Sequence, residues 1–442
     1  MNVPAYKEYR ESGVEWVGKV PSHWIMRQIK WGNPVRRGAS PRPIDDPKYF
    51  DDDGYWSWVR IADVSASRAH LTKTTQRLSE LGSSLSVKLN PGSLFVSIAG
   101  TVGKPCINDI PVCIHDGFVY FPDLDIDSEF LFRIFEAGEC YKGLGKFGTQ
   151  LNLNTDTIGS IPIPIPTCSE QRLITDFLDR ETAKVDLLIS KQEQLIATLR
   201  EDRAATITRA VTKGLEPDDD QMKDSGVPWL GSIPATWTRQ KLNWCFTFLN
   251  GDRGTNYPAS NELTDEGIPF VNAGHLRDGR IDFSSMNYVS KEKYASMGGA
   301  KLRPGDILYC LRGSLGKNAI FTAASGGALA SSLVALRSRN PLAVDCTFAF
   351  WMLNSAAEDA QLAMIGSGSA QPNLSVDDLG GFVFGIPPID EQLKIAAFLE
   401  TRCGNIDKLI SKAAEVIRTI REYRLALITA AVTGKIDVRE AI

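Results

Sequence analysis

The chain has 442 residues, 43% of them hydrophobic and 23% charged, with a net charge of −4 and a pI near 5.8. That is a globular composition with room for two or three domains, and it lacks the basic balance of many nucleic-acid binders. No stretch approaches the roughly 20 apolar residues of a membrane helix, the opening MNVPAYKEYRESG has no apolar signal core, and the eight cysteines include no CxxC pair, a pattern expected of reduced thiols in a cytoplasm.

In chain order, the first distinctive segment is SGVEWVGKVPSHW (12–24), with Trp16 and Trp24. A Gly/Pro-rich basic loop, RRGASPRP, follows at 36–43. Short β-type runs come next: WSWVRIADV (56–64), LFVSIAG (94–100), FVYFP (118–122) and IPIPIP (161–166), punctuated by Gly, Pro, Asn and Asp. A short helix is predicted at 128–142, followed by the turn KFGTQLN (146–152). Residues 169–212 read as one long helix. Thr167 and Glu170 have capping-box spacing, with Ser169 as the alternative cap, and Gly214 supplies the stop. Val185, Leu188, Leu195 and Leu199, with Ile189 and Ile196 alongside, form its apolar stripe.

The chain then repeats itself. SGVPWLGSIPATW (225–237) matches 12–24 at an offset of 213, bringing Trp229 and Trp237. PGSLFVSIAGTVGK (91–104) returns as PGDILYCLRGSLGK (304–317), and IPTCSEQ (165–171) as IPPIDEQ (386–392). The β-type runs of this copy are IPFVNAG (268–274), DILYCLRG (306–313), SSLVALR (331–337) and FVFGIP (382–387), with helix at 344–363. A second long helix is predicted at 390–433, with Ile406, Leu409, Ala413, Val416, Ile420, Tyr423 and Leu427 as its stripe and Gly434 at its end. So long a period is no solenoid unit; it is a duplicated domain with its trailing helix. Each helix is about 66 Å long at 1.5 Å per residue and needs a partner. Either each stripe packs on its own domain or the two helices pack on each other. Equivalence of the halves makes the second arrangement antiparallel.

Catalytic motifs are missing. Gly103-Lys104 and Gly316-Lys317 lack the Walker A spacing, leaving a Gly-centred turn or a lysine–phosphate contact. His23, His70, His115 and His275 occur in no metal-binding pattern. No GxSxG elbow or dinucleotide fingerprint is present, and Asn340-Pro341-Leu342-Ala343 fails the amino-methyltransferase tetrapeptide. Residues 238–367 are locally basic, with 13 Lys/Arg against 11 Asp/Glu. The repeated tryptophans are core anchors or base-stacking surfaces, and the charged helix faces are solvated or partner-binding.

The twice-used pattern SGVxWxGxxPxxW, PGxxxxxxxGxxGK, then NL…IP…EQ into a long helix resembles the specificity subunit of type I restriction–modification systems. The resemblance implies an α+β fold, with two pseudo-two-fold-related target recognition domains joined by two long helices in an antiparallel coiled coil. It divides the chain into recognition domain 1–166, helix 167–214, recognition domain 215–388, helix 389–436 and tail 437–442. It implies a non-catalytic protein of the prokaryotic cytoplasm that reads a bipartite, asymmetric target in double-stranded DNA. The expected partners are two methyltransferase (modification) subunits and restriction/translocase subunits, without membrane contact. S-adenosylmethionine, ATP and Mg2+ would sit on those partners, and this chain would bind no cofactor and no metal. Side chains suited to base edges or phosphates make the candidate DNA contacts Arg36, Arg37, Arg42, Arg60, Lys104, Lys146, Gln150 and Asn152 in the first copy. In the second they are Arg253, His275, Arg277, Arg312, Lys317, Gln371 and Asn373. Two other functions stay open: a coiled-coil scaffold without DNA readout, or an unrecognised DNA-modifying enzyme.

Overall fold

The computed structural model describes residues 3–144, 153–216, 219–252, 254, 256–366 and 373–440. The chain forms two compact units, Met1–Glu193 with Glu415–Ile442, and Gln194–Ala414. Each unit therefore contains parts of both long helices.

The first unit holds a five-stranded sheet in the order Arg36–Arg37, Phe118–Tyr120, Leu94–Ser97, Pro105–Asn108, His70–Leu71. Its second sheet runs Gln76–Leu78, Trp56–Val59, Val112–Ile114, Val87–Leu89. The second unit has four strands in the order Phe246–Asn250, Leu333–Ser338, Ile307–Cys310, Asn318–Ile320, and four more in the order Asn287–Val289, Ile268–Val271, Gly327–Leu329, Lys301–Leu302. A parallel pair recurs in both units: Cys113 lies opposite Trp58 in one, and Ala328 opposite Phe270 in the other. Leu94–Ser97 and Ile307–Cys310 are buried along their whole length, which accounts for the absence of polar alternation in residues 94–96 and in Ile307–Cys310; the buried Ser97 hydroxyl accepts the Lys104 N–H at 3.2 Å.

The run WSWVRIADV is a strand only as far as Val59. The Asp63 carboxylate accepts the Arg60 backbone N–H at 2.9 Å, drawing the chain into the helix Ile61–Ala66. The helix expected at 344–363 is two, Cys346–Met352 and Ala356–Gly366.

The long helices are Cys168–Lys213 and Ile389–Val432. The first is capped as a box: Thr167 Oγ1 accepts the Glu170 N–H at 3.3 Å, and Glu170 Oε2 accepts the Thr167 N–H at 3.2 Å. The Glu-Gln pair that enters each helix also has a visible purpose. Gln171 donates to the Pro166 carbonyl at 3.1 Å and accepts the Asp127 N–H at 2.8 Å. Gln392 does the same with Pro387 and Asp345, at 2.8 and 2.9 Å. Asp127 and Asp345 are the N-caps of Ser128–Ala137 and Cys346–Met352, so each glutamine ties a long helix to its domain.

The helices pair within each unit, their non-exposed positions alternating by three and four residues, the seam of a coiled coil. On the first helix the seam is Thr182, Val185, Ile189, Gln192, Ile196, Leu199 and Arg203; on the second it is Cys403, Ile406, Ile410, Ala413, Ile417, Ile420 and Arg424. Leu188, Leu195, Leu409, Val416 and Tyr423, expected in the stripe, lie one position away and are exposed. In the first unit Arg424 Nε meets Asp186 at 3.1 Å, and its Nη2 meets Glu136 at 2.9 Å. In the second unit Arg203 Nε meets Asp407 at 3.0 Å. These are one interaction made twice, with the helices exchanging roles. The directions are antiparallel: Asp186 and Glu193 pair with Arg424 and Arg421.

The helix ends enter the domain cores. Ile174, Phe177 and Leu178 join Leu427, Ile428, Ala431 and Val432 in the first core. Ile207, Ala210 and Val211 join Ile395, Ala396, Leu399 and Cys403 in the second. A fully buried Leu, Ile or Phe contributes about 1.5–3 kcal/mol, so the helices are structural members of both domains. Trp24 and Trp237 are buried anchors at these junctions. A Cβ at Gly434 would come within 3.1 Å of the Trp24 ring, and one at Gly214 within 3.7 Å of Trp237.

Arg424 is the test of this framework, since its removal strands two half-buried carboxylates. Arg424→Ala should lower stability by about 1–3 kcal/mol, whereas Arg418→Ala, on an exposed side chain, should change it by less than about 0.5 kcal/mol. Equal thermal melts for the two variants would contradict the arrangement.

Candidate nucleic-acid interface

In the second unit the domain and the helix pair enclose an open groove of about 1210 Å³. The hairpin Leu276–Arg277/Arg280–Ile281 forms one wall, turning on Asp278 and Gly279, both with positive φ. Lys317 ends the adjacent turn, and the helices add Arg200, Arg203, Lys408 and Lys412. Seven basic side chains face two carboxylates, Asp278 and Asp407, and Asp407 is already paired with Arg203. The groove is thus electropositive, lined by long flexible cations suited to phosphates.

The Lys317 turn rests on a buried acid. The Tyr309 hydroxyl donates to Glu358, and a Cβ at Gly316 would lie 3.3 Å from that carboxylate. Burial pushes the Glu358 pKa up to about 7. The first unit braces the equivalent turn differently, with the Tyr141 hydroxyl donating to the Gly103 carbonyl at 2.9 Å.

The corresponding cleft of the first unit, about 650 Å³, is neutralised from within. Arg133 bridges Glu136 and Asp179, Arg421 pairs with Glu193, and His70 reaches Asp109 at 2.7 Å and Glu129 at 3.1 Å. Burial pushes the His70 pKa down, but the hydrogen bond that the ring donates to Asp109 and the charge of Glu129 outweigh it and raise it. Lys104, matched to Lys317 by the repeat, donates to the carbonyls of Ser65 and Ser67 at 3.0 and 2.8 Å. It closes the end of the helix Ile61–Ala66.

The exposed basic surface of the first unit lies instead around the turn His115–Asp116. Arg36 and Arg37 form an edge strand against Phe118–Tyr120. Arg37 Nε donates to the Asp116 carbonyl at 2.5 Å, and Arg42 Nη2 to the Asp116 carboxylate at 2.8 Å. Arg60 is exposed and near enough to act on His115, whose pKa is lowered by burial; the charge of Asp116 opposes this, and Arg60 adds a smaller push in the same direction as burial. The sequence nominated Arg36, Arg37 and Arg42 as one loop and Arg60 apart from it; the structure brings Arg37, Arg42 and Arg60 to one turn, while Arg36 lies opposite Tyr120 in the edge strand.

The remaining candidates scatter. His275 is buried, its Nδ1 accepting the Asn272 N–H at 3.2 Å, and burial lowers its pKa; its contact is with its own turn. Arg277 is exposed on the groove hairpin beside Asp282, 3.6 Å away. Arg312 is exposed and its backbone bridges to Asn373. Lys146, Gln150, Asn152, Arg253 and Gln371 lie outside the described residues. Sequence reasoning missed Arg200, Lys408 and Lys412, because on a helix they read as an ordinary charged face. It also missed Trp31 and Trp244, 61% and 64% exposed; their signal was available, since they too are 213 residues apart.

Among the described residues no group of three or more His, Cys, Asp or Glu is placed to hold a metal, and no helix is long and apolar enough to cross a membrane. All eight cysteines are free.

Comparison with known proteins places this architecture. A type I restriction modification DNA specificity domain matches twice, at residues 40–197 and 234–416. The type I restriction enzyme EcoKI specificity subunit of Escherichia coli (strain K12) is 22% identical, over 96% of this chain and 91% of its own length. The EcoBI specificity subunit of Escherichia coli is 23% identical over 66% of this chain, which spans 62% of that protein. A solved structure describing complex assembly and conformational transition of the type I R-M system shares the fold, with a TM-score of 0.66 at 17% identity, over 93% of this chain and 98% of that one. Duplicated domains, paired helices and one family match in each half lead to one conclusion: the chain belongs to the type I restriction modification DNA specificity domain family.

Proposed function

We propose that this chain is the non-catalytic DNA-specificity subunit of a type I restriction–modification complex in a prokaryotic cytoplasm. Each recognition domain, 1–166 and 215–388, reads one half of a bipartite, asymmetric duplex target. The long helices set the distance between the halves and seat two modification subunits, to which restriction/translocase subunits are added. S-adenosylmethionine, ATP and Mg2+ belong to those partners.

The observation that carries the DNA reading is the basic groove of the second unit. A scaffold that never touched DNA would gain nothing from like charges gathered along one cleft, because they repel one another. If Lys317, Lys408 and Lys412 contact phosphates, replacing all three with Gln in the assembled complex weakens binding to target and non-target duplexes alike. The slope of log K against log salt should fall by about 0.9 for each lost contact. An unchanged slope would remove the groove from the DNA path. Methylation or cleavage by the purified chain alone would favour the enzyme reading.

Partner docking is supported by the outer face of the helices. Leu188 and Leu195 on the first helix occupy the same repeat positions as Leu409 and Val416 on the second, and all four are exposed. Apolar side chains kept at matched exposed positions fit a partner met twice. Leu188→Asp with Leu409→Asp should leave the thermal melt nearly unchanged and abolish co-purification with the modification subunit. Full retention of that subunit would place docking elsewhere.

A further inference from the structure

Arg37 and Arg42 converge on Asp116, a residue that no motif or repeat singles out. Asp116 receives Arg42 Nη2 on Oδ2 at 2.8 Å and the Ser40 hydroxyl on Oδ1 at 3.0 Å, while its carbonyl receives Arg37 Nε at 2.5 Å. The backbone around these groups is fixed. A Cβ at Gly38 would lie 2.2 Å from the His115 carbonyl oxygen, so only glycine lets the arginine loop approach this turn. The Gly38 N–H donates to the Phe118 carbonyl at 2.9 Å, and the Arg42 carbonyl accepts from the Tyr49 hydroxyl at 2.9 Å. The Arg42 side chain nevertheless remains 70% exposed.

We infer that Asp116 is the positioning residue of a guanine-reading arginine site, in which Arg42 and Arg37 present guanidinium donors to the major-groove edge of a base. The inference rests on the DNA-specificity function proposed above and assigns part of that readout to named side chains. Two physical arguments support it. Guanine offers O6 and N7 as adjacent acceptors that a guanidinium fork matches, and a fork already held by a carboxylate loses less freedom on binding. The same carboxylate argues against a phosphate ligand. A carboxylate beside the two arginines cancels one of their charges, which weakens the pull on a phosphate oxygen and leaves hydrogen bonding to the neutral guanine edge in place. As a mere stabilising pair the cluster would do little, since exposed ion pairs contribute about 0–1 kcal/mol.

The site belongs to one unit only. In the second unit Gly251 makes the same close approach, 2.2 Å from the Ala330 carbonyl. Ala330 thus stands where His115 does, and Ser331 follows it where Asp116 follows His115. The carboxylate is absent from that turn, so the effect of Asp116 is confined to one half of the target.

The test uses the specificity subunit assembled with its modification subunit and duplexes randomised at each target position. Asp116→Ala, Arg42→Ala and Arg42→Lys should each cut the preference for one G·C pair by about tenfold or more. The other half-site should stay unchanged, and thermal melts of the complexes should be equal. Arg42→Lys is the decisive variant: it keeps the charge and loses the fork. Full binding by Arg42→Lys, or a uniform loss of affinity at all sequences, would show a phosphate contact and overturn the inference. An unchanged base preference in Asp116→Ala would overturn it as well. A wild-type complex with no sequence preference at all would instead overturn the specificity function on which the inference rests.

Discussion

The structure depends on the pairing of its two long helices. Neither the 46-residue nor the 44-residue helix has more than one apolar seam to bury, and a single-seam helix of that length is not stable alone. The solution repeats a small set of contacts. Arg424 meets Asp186 and Arg203 meets Asp407, Gln171 and Gln392 fasten helix starts to domain helices, and Trp24 and Trp237 seat the helix-ending glycines. Each domain core takes the beginning of one helix and the end of the other. Each compact unit is therefore incomplete without both helices, whatever surface it displays.

That economy explains what differs between the copies. Where chain meets helix, the residues recur because the same contacts are made twice. Away from those junctions the same strands carry different side chains. The cleft beside the helices is cancelled by ion pairs in the first unit and left electropositive in the second. The glycine-supported turn carries Asp116 with its arginines in one unit and Ser331 in the other. Two surfaces so unlike on one scaffold are what the proposed reading of two different half-targets requires.

The duplication, both long helices, the Thr167–Glu170 cap and the short strands were legible in the sequence, because caps, periodicity and turn residues act locally. The exact seam was not. Leu188, Leu409 and Val416 satisfy three-and-four spacing as well as the true seam does, and only burial against the partner helix separates them. Nor could spacing tell that Lys104 caps a helix or that His275 is buried in its turn. The groove and the Asp116 cluster were invisible for a stronger reason. Their members lie far apart in the chain (Arg200 and Lys412, or Arg42 and Asp116) and only tertiary packing gathers them.

The central claim is that each copy reads its own half of one target on a shared frame. It is tested most directly by exchanging residues 25–147 for the same stretch of a relative and mapping methylated adenines made by the assembled complex. The account predicts that one half-site changes while the other half-site and the gap between them stay as they were. A change in both half-sites would contradict it.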